Sequence, residues 1–201
     1  MVGIIFSPVS NMQSVYRVLS KMQQPCRVIE RREDLSAVTH LVFPGVGNFT
    51  KAIDVINTNG LRQSLEECVL EKSIPFLGIC LGMQILGNTS GESSSSTGLG
   101  WLNFQSVGLA DQSVRIPHIG WNTVQADPQS ILLNTLHPTD EFFFMHSYHV
   151  VAPDSIAKGF TVYGQEKFVS VVEKHPVYGV QFHPEKSYRA GVKLFNNCFS
   201  I

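Results

Sequence analysis

No apolar run in the 201 residues is long enough to span a bilayer, which takes about twenty consecutive residues. Met1 to Pro8 reads as a short apolar strand; it lacks the positive start and small-residue cleavage site of a secretory signal. Charge of one sign is missing as well. The 15 Lys and Arg stand against 16 Asp and Glu, a formal net charge of −1 with His neutral. No basic stripe or cluster is there to meet nucleic acid or an anionic membrane. Cysteine is sparse: Cys26, Cys68, Cys80 and Cys198 are widely and irregularly spaced, with no C-x-x-C. That argues against a disulfide scaffold or a zinc site and fits a reducing cytoplasm. Asn48-Phe49-Thr50 and Asn88-Thr89-Ser90 match the glycosylation pattern, which carries nothing without a secretory signal. There is no internal repeat and no domain boundary, so residues 1–201 are expected to form one domain with a substantial core.

What is present is an alternation. Val2 to Phe6 reads as a buried strand. Met12, Val15, Leu19 and Met22 then recur at helical spacing, leaving Arg17 and Lys21 outside. Cys26 to Ile29 and Leu41 to Phe43 read as strands. Thr50 to Asn57 and Leu61 to Glu71 read as helices separated by Asn59-Gly60, with Asp54 and Glu66 as solvated charges. The βαβα order implies an open, mostly parallel sheet with helices on both faces. The second half is richer in strands: Phe104 to Leu109, Phe142 to Val151, Lys158 to Tyr163, Phe168 to Glu173 and Tyr178 to Phe182. This adds an antiparallel region, with Phe142-Phe143-Phe144 as core. Tyr188 to Phe199 closes the chain as a helix with Leu194, Phe195, Cys198 and Phe199 on its apolar stripe. The serine run 93–96 reads as a flexible surface loop.

Two islands carry chemistry. Gly78-Ile79-Cys80-Leu81-Gly82-Met83-Gln84 follows the apolar run Ile74-Pro75-Phe76-Leu77 and reads as a strand, a sharp turn and a helix. A helix N-terminus beginning near Leu81 favours the thiolate of Cys80, the nucleophilic form. Gly78 and Gly82 tolerate the close contacts of such a turn. Gly179-Val180-Gln181-Phe182-His183-Pro184-Glu185-Lys186-Ser187 supplies the remaining parts. His183 suits proton transfer to and from the thiol and a leaving amine, and Glu185 suits holding the imidazole tautomer. In an extended segment these two would face the same side. A nucleophile on an elbow, with a base and an acid from elsewhere, is the logic of a catalytic triad.

Together the islands resemble the signatures of the class I, or triad, glutamine amidotransferases. Phe43-Pro44-Gly45-Val46-Gly47 resembles that family's oxyanion loop. Pro117-His118-Ile119-Gly120-Trp121-Asn122 and Phe144-Met145-His146-Ser147-Tyr148 are similar to segments of the glutaminase subunits of imidazole glycerol phosphate synthases. The resemblance covers nearly the whole chain and implies a flavodoxin-like α/β fold. It implies Cys80 as nucleophile, His183 as general base and acid, Glu185 as orienting carboxylate, and Gly45, Val46 and Gly47 at the oxyanion. Gln84, Glu92, Ser147 and Tyr148 fall where the family meets L-glutamine, Glu92 as a partner for the α-ammonium. No metal or organic cofactor is implied. The ammonia passes to another chain, by resemblance a (β/α)8-barrel cyclase subunit in a heterodimer. That partner is expected at the carboxyl ends of the strands, against Asn11, Trp121, Asn122 and Lys186, with Trp121 in a polar-flanked loop. His118 and His146 suit hydrogen-bonding roles at least as well as catalytic ones.

The chain departs from the family pattern at Ser7-Pro8-Val9-Ser10-Asn11, where glycines are usual, and in the serines after Glu92, where charges are usual. A glutaminase feeding a surface-polysaccharide amidotransferase shares the chemistry with a different acceptor. A cysteine peptidase or hydrolase of similar fold, and a catalytically silent scaffold, are the rivals from other classes.

Overall fold

The first strand, β1 (Val2–Ile5), is buried along its whole length, as a strand with both faces covered must be. The computed structural model, which describes residues 1–7, 10–58 and 60–201, continues with α1 (Met12–Lys21), β2 (Cys26–Ile29), β3 (His40–Gly45), α2 (Phe49–Thr58), α3 (Leu61–Glu66), β4 (Phe76–Cys80) and α4 (Leu81–Gln84). Pro8 and Val9 of the Ser7–Asn11 loop, and Asn59 of the Asn59-Gly60 break, lie outside the described residues. There follow β5 (Thr89–Ser90), β6 (Ser93–Thr97), β7 (Gln105–Gly108), β8 (His118–Thr123), β9 (Gln125–Ala126), β10 (Glu141–His146), β11 (Tyr148–Val151), β12 (Ala157–Tyr163), β13 (Glu166–Lys174), β14 (Val177–Val180) and α5 (Tyr188–Cys198).

The main sheet runs β2-β1-β3-β4-β14-β13-β11-β7-β5-β6, with β12 beside β13 and β9 beside β12. From β2 to β14 the neighbours are parallel. Beyond β14 they are antiparallel, except for β5 against β7. Alternate residues of the parallel strands face two cores. Ile5, Leu41, Phe43 and Phe76 meet Phe49, Ile53 and Ile56 of α2 and Leu61 and Leu65 of α3. Val2, Ile4, Val42, Leu77 and Ile79 meet Val15 and Leu19 of α1 and Leu194, Phe195 and Cys198 of α5. The period-2 alternation of a strand thus accounts for helices on both faces.

Three elements differ from the sequence reading. Phe142 to Val151 is two strands, not one. The chain turns at Ser147, whose carbonyl accepts the Leu109 amide at 2.8 Å, so β11 stays in the main sheet while β10 leaves it. The segment 117–122, read as a loop because of its Gly and Asn, is mostly strand β8. It pairs antiparallel with β10, with Trp121 opposite Phe143; cross-strand pairing overrides weak local propensity here. The serine run is strand β6, paired with β5. Thr50 of α2 accepts from Ser96 at 2.8 Å and donates to Ser93 at 3.0 Å, so hydroxyl pairing orders a segment that composition alone reads as flexible.

Backbone packs on backbone where the site is built. A Cβ on Gly78 would run into the carbonyl of Gly82, and one on Gly82 into the carbonyl of Phe43. At Gly91 the nearest atom to such a Cβ is 3.5 Å away. Gly78→Ala is therefore expected to cost on the order of 2 kcal/mol or more, against at most about 0.5 kcal/mol for Gly91→Ala, in urea denaturation. Equal stability of the two variants would contradict this packing.

Candidate active site

Cys80 ends β4 and caps α4 with φ 55° and ψ −109°, a conformation that strains any residue bearing a Cβ. Its strand neighbour Gly45 is in register with it, and a Cβ on Gly45 would collide with the Gly82 amide. The elbow is thus wedged between β3 and the start of α4, which turns the thiol out of the sheet. α4 is a single turn, shorter than the sequence pattern implies, so the field at Cys80 comes from its first few N–H groups rather than from a long helix. Val46 and Gly47 follow β3 on the same side, Gly47 with φ 94°.

His183 lies just past β14, which is parallel to β4. Its Nδ1 is 2.9 Å from Glu185 Oε1, with both side chains out of solvent. The segment is not extended: Pro184–Lys186 is a 3-10 turn, and that turn, not strand alternation, brings the carboxylate back to the ring. The turn is pinned from two sides. The His183 amide donates to Phe143 O at 2.8 Å, and the Ser187 hydroxyl donates to His183 O at 2.6 Å while accepting from the Phe143 amide at 3.0 Å. Cys80 opens into a cavity of about 290 Å³, lined also by Val46, Gly47, Gln84, Glu92 and the 145–148 segment. Its size is near the lower end of the ~300–1,000 Å³ typical of small-ligand sites.

The arrangement has counterparts. The family model for glutamine amidotransferase class-I matches residues 8–201. The chain belongs to the class I glutamine amidotransferases. It is 35% identical over 210 residues to the imidazole glycerol phosphate synthase subunit HisH of Leptospira borgpetersenii, covering 100% of both chains. It is 37% identical over 200 residues to the subunit HisH 2 of Pseudomonas aeruginosa, covering 98% of each. A crystal structure described as a glutamine amidotransferase has its fold, with a TM-score of 0.78 at 16% identity over 99% of this chain and 97% of that one.

In this amidotransferase the expected substrate residues converge on the cavity, but their side chains are already engaged. The Gln84 amide donates to Tyr148 O at 2.8 Å and to Gln181 Oε1 at 3.2 Å. Glu92 accepts from Asn48 Nδ2 at 2.8 Å and from the Phe49 amide at 3.1 Å, at the start of α2. Ser147 and Tyr148 form the wall where β10 gives way to β11. In the sequence Asn48 was read only as part of a glycosylation pattern, although an Asn opening a helix is a capping signal. Four more residues were expected to face a partner. Trp121 is 43% exposed and stacks on Tyr188 at 5.4 Å; Lys186 Nζ lies 5.3 Å above the Phe143 ring. Asn11 instead donates to Glu185 Oε1 at 3.3 Å, and Asn122 to Val162 O at 2.9 Å. Among the described residues no cluster of three or more His, Cys, Asp or Glu could hold a metal ion, and no helix is long and apolar enough to cross a membrane.

Three histidines near the site divide into two kinds. His146 Nδ1 lies 3.0 Å from Tyr148 O and must donate to that carbonyl, so its Nε2 accepts from His118 Nδ1 at 3.2 Å. Burial pushes His118 down to about 4. Burial, with His118 beside it, pushes His146 down to about 3. Both rings are neutral and structural. Burial also works against charge on His183, but attraction to the Cys80 sulfur, with the hydrogen bond and charge of Glu185 behind, outweighs it and raises His183 to about 10. Its Nε2 is buried with no hydrogen-bond partner among the described residues, as is Glu185 Oε2. In ring-nitrogen NMR, His183 is expected to carry both protons at pH 7 and titrate near 10, whereas His118 and His146 stay neutral. Cys80→Ala removes contributions that raise the His183 value, so the titration should move down. A His183 already neutral at pH 7 in the unsubstituted protein would contradict this electrostatic picture.

Proposed function

We propose that this chain, as one amidotransferase unit over residues 1–201, is the cytoplasmic glutaminase subunit of an imidazole glycerol phosphate synthase. On this reading it hydrolyses L-glutamine and passes ammonia to a (β/α)8-barrel cyclase subunit. The observation that carries the reading is the strained Cys80 opening into a small, amino-acid-sized cavity lined by Val46, Gly47, Gln84 and Glu92. The names of its full-length relatives support the choice of pathway. A cavity of about 290 Å³ is of the size of one amino acid rather than of a peptide segment, which favours glutamine over a peptide substrate.

The chemistry follows from the charges. Attraction from the Cys80 sulfur and Glu185 favours a proton on His183, so His183 takes the thiol proton and the attacking form is the thiolate. The thiolate attacks the carbonyl carbon of the glutamine side-chain amide, and the carbonyl electron pair moves onto oxygen, facing the Gly45, Val46 and Gly47 backbone. Collapse breaks the C–N bond as His183 gives its proton to the leaving nitrogen, releasing ammonia and leaving a γ-glutamyl thioester. Neutral His183 then takes a proton from water, whose oxygen attacks the thioester. The C–S bond breaks, glutamate leaves, and the ion pair is restored. Glu185 holds the ring for both transfers. Glu92 and Gln84 face the substrate's amino-acid end, Glu92 toward its ammonium, and the backbone at Ser147 and Tyr148 faces its carboxylate.

The docking face proposed for the cyclase is centred on Trp121, stacked on Tyr188, with Lys186 as the charged contact. Phe143, the strand partner of Trp121, binds the His183 amide through its carbonyl, so a partner seated there would press directly on the triad's support. Asn11 and Asn122 act from within the chain, one on Glu185 and the other on β12.

A paired test separates chemistry from docking. Cys80→Ala should abolish glutamate release and leave the cyclase reaction intact when ammonia is supplied. Trp121→Ala should leave Cys80 reactive toward a glutamine-analogue electrophile, yet weaken the complex by ~2 kcal/mol or more. Glutamate release by the first variant at near the unsubstituted rate would sink the mechanism; unchanged binding by the second would move the interface elsewhere.

A further inference from the structure

Cys80 is 6% exposed and meets solvent only at the cavity. Charge on its sulfur, before attack and when the thioester breaks and the electron pair returns to sulfur, must therefore be held largely by the protein, by His183 as counter-ion and by fixed donors. One step beyond the registered pair Val180–Ile79 of β14 and β4 stand Gln181 and Cys80. Gln181 is fully buried, and its backbone amide is fixed to Ser170 O at 2.9 Å. Its side-chain Nε2 points at Cys80 Sγ from 3.6 Å.

The direction of that amide is enforced. Gln84 Nε2 donates one proton to Tyr148 O at 2.8 Å and the other to Gln181 Oε1 at 3.2 Å. A backbone carbonyl cannot reverse its polarity, so Gln84 cannot flip without losing both bonds. Gln181 in turn must keep its oxygen toward Gln84 and its N–H toward the sulfur. The chain Tyr148 C=O, Gln84, Gln181, Cys80 is therefore polarised in one sense and ends on the nucleophile. Among the described residues the other hydrogen-bond contact of the thiol is to Met145 O at 3.8 Å, an acceptor, which can receive the S–H of a neutral thiol but offers nothing to a thiolate. A buried amide serving only to fill space would be a costly choice beside Met or Leu.

We infer that Gln181 is a catalytic residue of the thioester cycle, the fixed N–H donor to the Cys80 sulfur that stabilises the thiolate before attack and as the leaving group in thioester hydrolysis. It does at sulfur what the Gly45–Gly47 loop does at the carbonyl oxygen. The inference rests on the glutaminase reading for its second half only; the donation to sulfur precedes any substrate.

The test is peptide-resolved iodoacetamide alkylation of Cys80 across pH in the full chain, alongside glutamine turnover. In Gln181→Met, which keeps the bulk and loses the donor, the alkylation midpoint should move up by about one pH unit, the equivalent of a tenfold loss of thiolate. The kcat for glutamine should fall about tenfold, with KM within about twofold. Gln181→Leu also removes the donor without adding charge, so it should shift the midpoint the same way and decides the matter if the Met variant does not fold. A merely structural glutamine would change the melting temperature and leave the midpoint alone. An unshifted midpoint in a folded variant overturns the inference and leaves the glutaminase reading standing. An unsubstituted chain that releases no glutamate even with its cyclase overturns that reading, while the alkylation midpoints still decide the role of Gln181.

Discussion

Cys80 sits at φ 55° and ψ −109°, and a residue with a Cβ held there costs on the order of 1–3 kcal/mol. It stays because the surroundings leave it nowhere else to go. Gly45, Gly78 and Gly82 let β3, β4 and the first turn of α4 pack backbone against backbone, closer than any side chain would allow. Buried strands on both sides of β4 hold that wedge closed. The strain aims the thiol at the cavity and at the residues that follow β14, and everything else at the site is arranged around that direction.

Those residues belong to two layers of support. The parallel half of the sheet fixes Cys80, Gly45 and, through β14, Gln181 and His183. The small β8–β10 sheet fixes the turn that carries Glu185, by the paired bonds between Phe143, His183 and Ser187. Neutral His118 and His146 brace the far end of β10 at little electrostatic cost, since burial keeps both uncharged. Of these three histidines, His183 is the one placed where opposite charge outweighs burial. One end of a two-stranded ribbon thus supports the His183 imidazole while Trp121 stays exposed on it, a physical connection between the proposed docking surface and the proposed chemistry.

Much of this was readable from residue order, and the exceptions have physical causes. The βαβα half was legible because each buried strand and amphipathic helix obeys its own period: Val15 and Leu19 are buried where the spacing puts them. The elbow was legible because glycines flank a cysteine after an apolar run. The β8 strand was not, because Gly120 and Asn122 have low strand propensity and only pairing with β10 makes them extended. The break at Ser147 was hidden inside a continuous β-prone stretch. The pairing of His183 with Glu185 was expected, but from extended geometry, whereas Pro184 starts a 3-10 turn that does the same work. Glu92 lines the cavity, and the bonds from Asn48 and Phe49 that hold it there depend on bringing together residues some forty positions apart. The inward bonds of Asn11 and Asn122, and the amide chain from Tyr148 to Cys80, are contacts between distant segments that no local pattern encodes.

The central claim is that the sulfur of the strained Cys80 becomes acylated by the γ-carbonyl of glutamine. The most direct measurement is rapid acid quench of the chain during turnover with glutamine and the cyclase, followed by peptide mass spectrometry. The account requires a γ-glutamyl adduct confined to the peptide containing Cys80, absent without glutamine and lost on treatment with hydroxylamine, which cleaves thioesters. Glutamate formed at full rate with no adduct on Cys80, or with the adduct on another residue, would contradict it.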